Sequence, residues 1–241
     1  MHHRRKARKA SDLARKKASR APYSKILIVC EGEKTEPNYF NELKDHLALN
    51  SANVMVSGEC GSSPVSVVNY AIQIYVAERS AGDPFDKVFC VFDKDSHETY
   101  QQALDKIAGK NQRLLDGIVG SKLEDIFVAT TSVPCFEYWL LLHFDYTSAP
   151  FQGAGSKSAC DQLVGELRKY MPDYQKGNES IFNQLLDKQP KAMVFAENSL
   201  RAAEENANDN PSTRVHELIK ELQGITQVSG FKTDENMVVT N

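Results

Sequence analysis

Residues 25–40 read KILIVCEGEKTEPNYF, and this stretch decides the fold. Ile26 to Cys30 is a short, unbroken apolar run, the pattern of a strand buried on both faces. Four polar residues, Glu31-Gly32-Glu33-Lys34, end it. Thr35 then offers a helix N-cap, with Glu36 and Pro37 in the first turn. Tyr39, Phe40, Leu43 and Leu47 recur at helical spacing.

The same unit repeats outward from this point. Asn53–Val56 reads as a second strand, and Gly58 to Ser63 as a small-residue loop. Ser63-Pro64 supplies a cap and a first helical residue, with Val67, Val68, Ala71, Ile74 and Tyr75 as the apolar stripe. Asp83-Pro84 breaks that helix. Lys87–Phe92 is a third apolar strand, a polar helix runs from about His97 to Ala108, and Asp125–Ala129 is a fourth strand. Strands alternating with helices predict an α/β domain with a mostly parallel sheet flanked by helices. Beyond Pro134, Phe136–Phe144 reads as an apolar helix. Trp139 and His143 share one face of it, His143 as a core histidine. Residues 156–222 carry only helical periodicity, with no further strand expected, and Asn210-Pro211-Ser212-Thr213 reads as a helix start. The predicted organisation is a basic flexible arm over 1–23, an α/β domain over 24–150, a helical C-terminal region over 151–223 and a tail over 224–241.

Composition excludes several classes. The 241 residues are 41% hydrophobic and 25% charged, ordinary for a globular chain. No run approaches the ~18 apolar residues of a membrane span, so no membrane association is expected. No apolar segment follows the N-terminal charges, so a secretory signal is not expected either, and a cytoplasmic location follows. The five cysteines are far apart and form no CxxC pair, which argues against zinc. Reduced thiols are the expectation. The net charge of −3 hides an asymmetry: residues 1–25 hold ten Lys and Arg against Asp12 alone, and the rest holds 19 basic against 31 acidic residues, a net of −12. Such an arm is suited to polyanions. A solvated tail is the competing reading, and a mitochondrial presequence is disfavoured by the missing apolar face.

In open α/β sheets, ligands bind beyond the carboxyl ends of the strands. Strand one ends in Glu31 and strand three in Asp93-Lys94-Asp95, while strand four leads to Glu137. Carboxylates brought together repel one another, and a hard divalent cation relieves this with oxygen ligands. Asp93 and Asp95 are two apart, so an extended chain turns both to one face. Lys34 and Lys94 adjoin the acids as candidates to hold a phosphate. Gly153–Ser158 lacks the spacing of a phosphate-binding loop and follows no strand, so nucleotide hydrolysis is not expected. A dehalogenase-type phosphatase would leave Glu31 unexplained.

Four segments, KILIVCEGEKTEPNYF (25–40), VFDKD (91–95), PCFEYWLLLHF (134–144) and NPST (210–213), together resemble the RloB-like protein family. The resemblance implies a TOPRIM-like, that is Rossmann-like, fold of the kind found in topoisomerase, primase and OLD-type nuclease domains. In that superfamily a Glu after strand one and a DxD after strand three bind Mg²⁺ for phosphodiester chemistry. The matching residues here are Glu31, Asp93 and Asp95. Topoisomerase-type sites often carry a third acid two residues further on. That position is His97 here, which leaves Glu137 or Glu33 to complete a metal site. His97 is a phosphate contact, a general acid or a helix cap. The resemblance further implies a metal-dependent nuclease using Mg²⁺ or Mn²⁺ in prokaryotic antiphage defence and abortive infection, with an ABC-type ATPase partner. Its substrate is DNA or RNA, tRNA included, because backbone chemistry does not separate them. The alternative is a non-catalytic partner or sensor that binds nucleic acid or the ATPase without cutting.

Overall fold

The computed structural model describes residues 24–230 except Ala52, Ser96 and residues 116–124, with side chains to residue 225. The basic arm and most of the tail lie outside the described residues. The elements are β1 (Ile26–Cys30), α1 (Thr35–His46), β2 (Val54–Ser57), α2 (Pro64–Ser80), β3 (Lys87–Asp93), α3 (Tyr100–Leu115), β4 (Phe127–Val133), α4 (Glu137–Leu141), α5 (Ala159–Leu167), α6 (Ile181–Leu185), α7 (Gln189–Glu205), β5 (Ser212–Thr213) and α8 (Val215–Gly230).

The sheet runs β2-β1-β3-β4-β5. The first four strands are parallel, and β5 pairs antiparallel to β4. Alternation along each strand explains the unbroken apolar runs. Ile26, Ile28, Cys30, Phe89 and Val91 face a core shared with α1 and with the helices after Pro134. Leu27, Val29, Val88, Cys90 and Phe92 face a second core under α2 and α3. Each fully buried Val, Leu, Ile or Phe contributes about 1.5–3 kcal/mol, so both faces hold the sheet. Tyr39 anchors the first core, meeting Phe40, Phe136 and Phe182 edge-on at 5.4–5.6 Å. Among the described residues no helix is long and apolar enough to cross a membrane.

The α/β fold class predicted from sequence is observed, and α2 begins as expected: Ser63 and Ser66 form a reciprocal capping box ahead of a helix opening on Pro64. Several expectations need correction. Thr35 starts α1 but does not cap it; its Oγ1 accepts the Gly177 backbone N–H at 2.8 Å. α3 starts at Tyr100 and extends to Leu115, where Asn111 bonds both backbone groups of Phe127. β4 continues through Thr130-Thr131-Ser132 to Val133, because pairing to β3 extends to Asp93↔Ser132. The apolar helix expected over Phe136–Phe144 shrinks to Glu137–Leu141. Asn210-Pro211-Ser212-Thr213 is not a helix start: Asn210–Pro211 is cis and Ser212-Thr213 forms β5. A two-residue strand is too short to show a period of two. Finally, the thiols are not all reduced. Cys135 and Cys160, 25 positions apart, form a disulfide, while Cys30, Cys60 and Cys90 are free.

Candidate active site

β1 leaves to β2 on one side of the sheet, and the chain returns across β1 to β3 on the other. The crevice beyond β1 and β3 is therefore the topological switch point, where α/β sheets bind ligands. Register places Cys30 beside Val91, and the Glu31 backbone N–H continues the ladder to Val91 O at 2.9 Å. Glu31 and Asp93 thus leave adjacent strands at neighbouring heights. Glu31 Oε2 accepts the Asp93 backbone N–H at 3.0 Å, and its Oε1 meets His97 Nε2 at 3.1 Å. His97 is consequently a partner of Glu31, and α3 begins three residues later.

Glu137 is buried at 2% exposure. Its Oε1 accepts the Tyr174 hydroxyl at 3.0 Å and faces Lys176 Nζ at 3.5 Å. Glu36, 6% exposed, reaches in from the first turn of α1. A Cβ on Gly32 would lie 2.1 Å from Glu36 Oε2, so the glycine leaves the room that this carboxylate fills. A Cβ on Gly58 would strike Gly32 O at 2.6 Å, which lets the end of β2 pack against the same turn.

Electrostatics join these groups into one cluster. Burial, then Glu36, Glu137 and Glu31, hold the Asp93 carboxyl well above the usual range; the Phe136 backbone N–H pulls the other way. Burial, with Glu137 and Glu31, pushes Glu36 up to about 7. Burial also raises Glu31, opposed by the Asp93 N–H and by His97. Burial would lower Lys176, but Glu137, Asp93 and Glu36 outweigh it and raise the ammonium. The cluster therefore binds protons or cations in preference to standing fully ionised.

The sequence-derived candidates separate into those that converge and those that do not. Glu31 and Glu137 both lie close enough to Asp93 to act on its charge. Asp95 does not lie on an extended chain with Asp93: β3 ends at Asp93, and Asp95 turns at φ 28°, with its N–H bound to Pro134 O. Its exposed carboxylate is at the rim, where its charge is felt by Glu31. Lys94 points away from the acids to a bidentate pair with Asp209 at 2.7–2.8 Å. Glu33 and Lys34 line a separate cavity of about 830 Å³ with Gly58 and Tyr70. His143 is a core histidine, 1% exposed and bonded to Trp139 O, with its pKa lowered by burial to about 4. Glu36, Tyr174 and Lys176 complete the site without having been singled out from sequence. The Gly32–Glu36 spacing was the available signal for Glu36; the loop carrying Tyr174 and Lys176 offered none. Cys135, Glu137 and Cys160 also place ligand atoms within 4.8 Å of one another, but in the disulfide neither sulfur is a thiolate, leaving Glu137 as the donor.

The oxygen chemistry suits a hard divalent cation, with carboxylates following β1, ending β3 and opening α1 and α4; a cation would have to draw them closer than the metal-free chain holds them. The class defined by fold and site is an α/β protein with a carboxylate cluster at its switch point. The chain belongs to the RloB-like protein family, whose model matches residues 26–222. No curated protein and no solved structure matches it.

Proposed function

We propose that the chain is a metal-dependent nuclease of TOPRIM type, with Glu31, Glu36, Asp93 and Glu137 as the ligand set for Mg²⁺ or Mn²⁺. The observation that carries this reading is that four carboxylates, brought by four separate segments to the switch point, lie near enough to raise one another's pKa, although in the metal-free chain no three of them hold their oxygens within 4.8 Å of one another. A bound divalent cation supplies Lewis-acid stabilisation of the phosphate and a more acidic water. Glu31 fixes the turn after β3 through the Asp93 N–H and orients His97 toward the opening. Glu36, pushed up to about 7 by burial and its acidic neighbours in the metal-free chain, would release its proton as the cation binds. Lys176, beside Glu137, would supply a cation to a phosphate oxygen, the role first expected of Lys34 and Lys94. Membership of the RloB-like family supports a role as an effector of prokaryotic antiphage defence working with an ABC-type ATPase.

The test is a cleavage panel of DNA, RNA and tRNA with Mg²⁺ or Mn²⁺, with and without the ATPase, using wild type, Asp93→Asn and Glu31→Gln. Cleavage by wild type that both variants lose is expected. Equal cleavage by all three proteins would remove the site assignment. The second reading, a non-catalytic sensor, is favoured by Lys176 already serving as a counter-charge to Glu137 in the cluster. Calorimetry showing no divalent binding by wild type would select it.

A further inference from the structure

Beside the carboxylate edge lies a cavity of about 590 Å³ between α3, β4, β5 and α7. This is within the ~300–1,000 Å³ range of small-molecule sites. Lys94, between the two acids of the Asp93-Lys94-Asp95 turn, lines it together with Tyr100, Thr131, Asp209 and Arg214. Leu104, Leu200 and Ala203 add apolar wall. Consecutive residues leave a strand in opposite directions, so the turn that delivers Asp93 to one side delivers Lys94 to the other.

The chemistry of the lining selects its ligand. Two cations, Lys94 and Arg214, are matched by two carboxylates, Glu204 and Asp209. Lys94 is bound by Asp209, and Arg214 by Glu217 at 2.9–3.1 Å. A phosphate would find no surplus positive charge there. A neutral planar heterocycle would find donors, acceptors, apolar wall and one aromatic ring. That ring, Tyr100, meets Phe92 in an edge arrangement at 5.8 Å, and the Lys94 ammonium lies over it, 5.6 Å from its centroid, where a stacking base would displace it. We propose that this cavity receives one unstacked nucleobase of the nucleic-acid substrate, with Tyr100 as its stacking surface. The substrate class is accordingly single-stranded or locally unpaired nucleic acid, because a base held in a duplex cannot enter. The proposal rests on the nuclease reading for its substrate but not for its test.

The experiment measures binding without cleavage. Full-length Asp93→Asn protein is titrated in Mg²⁺ with fluorescein-labelled 12-nucleotide single strands of DNA and RNA, with the matching duplexes, and with single strands carrying one abasic position. Anisotropy is read for this protein and with Tyr100→Leu or Arg214→Gln added. Tyr100→Leu keeps an apolar contact to Phe92 and removes the stacking face. The expected results are single strands bound at least tenfold tighter than duplex, about a tenfold loss with Tyr100→Leu, and a similar loss for an abasic site at one position. The two losses combined should not exceed either alone. Duplex bound as tightly as single strand, or no abasic position that matters, overturns the proposal even if Tyr100→Leu fails to fold. No binding of any strand overturns it as well. Base-dependent binding with no cleavage by wild type would sink the nuclease reading and leave this one standing.

Discussion

Glu31 Oε2 accepts the backbone N–H of Asp93, so the acid that follows β1 fixes the backbone that presents the acid ending β3. The bond crosses the switch point and ties the Glu31 carboxylate to the backbone that carries Asp93. It makes Glu31 a structural clamp as well as a ligand. Glu31→Gln preserves an acceptor for the Asp93 N–H and should fold normally while losing metal affinity. Glu31→Ala removes the acceptor and the ligand together, so urea unfolding should show lower stability and calorimetry weaker metal binding.

Metal-free stability should fall as pH rises from 5 to 8. Glu36 is held near 7 in the folded chain against ~4.3 when unfolded. The folded state therefore binds more protons between these values, and the slope of unfolding free energy with pH is negative. The stabilisation is fully present below ~4.3 and is lost as pH passes 7. Urea unfolding in EDTA should show a loss of about 1–3 kcal/mol across this window. Glu36→Gln should flatten it, and Mg²⁺ should raise Tm more at pH 8 than at pH 6. Equal slopes for wild type and Glu36→Gln would show that the pH dependence does not arise at Glu36.

Two glycine substitutions should separate site from fold. In Gly32→Ala the new methyl meets the end of the Glu36 side chain, which can swing away. The protein should stay folded, and divalent affinity measured by calorimetry should fall about tenfold or more. In Gly58→Ala the methyl meets backbone, Gly32 O at 2.6 Å, and the Pro37 ring at 2.8 Å. Overpacking of that kind costs about 1–3 kcal/mol, readable as a lower urea midpoint.

The Cys135–Cys160 bond closes a loop of 25 residue steps, and chain-entropy reasoning gives about 3 kcal/mol for a loop of this size. Reductant should lower the unfolding free energy by roughly that amount. Cys135→Ser should do the same and be insensitive to reductant. Thiol titration of the unfolded, unreduced chain should find the three free cysteines, Cys30, Cys60 and Cys90. Five thiols before reduction would exclude the bond.

Lys176→Gln should move two readouts apart. The ammonium faces Glu137 and raises no barrier to folding, being 61% exposed along its side chain. Its removal takes away a competing cation, so divalent affinity should tighten several-fold. If Lys176 also meets the substrate phosphate, kcat should fall in the same variant at saturating metal. Unchanged metal affinity would show that the ammonium does not share the cluster's charge.

Much of this was legible in the sequence because strands buried on both faces leave unbroken apolar runs. Ile26–Cys30 and Val88–Phe92 were visible for that reason, and Glu31 and Asp93 followed as the residues just past them. β4 was cut short because Thr130-Thr131-Ser132 lacks apolar contrast, although its backbone pairs with β3 to the end. β5 was hidden by its length and by a proline that also suits a helix start. Asp95 was misjudged because alternation holds only while the chain stays extended, and it stops at Asp93. Glu36 read only as a residue of the first helical turn after Thr35. Lys176 and Tyr174 were invisible because their place depends on how α5 and α6 pack, far along the chain from Glu31.

The order in which these residues are synthesised has a cost in time. Glu31, Glu36 and Asp93 emerge first, but Tyr174 and Lys176 follow about 80 residues later, roughly 4–16 s at ~5–20 residues per second. Leu218 and Leu222, which close the same core as Tyr39 and Trp139, come later still. During that interval the nascent chain carries its acidic edge without the tyrosine and ammonium that border Glu137. A ribosome-bound fragment ending before residue 174 therefore lacks both groups that border Glu137, and the cluster is complete only once the segment after α5 has been made.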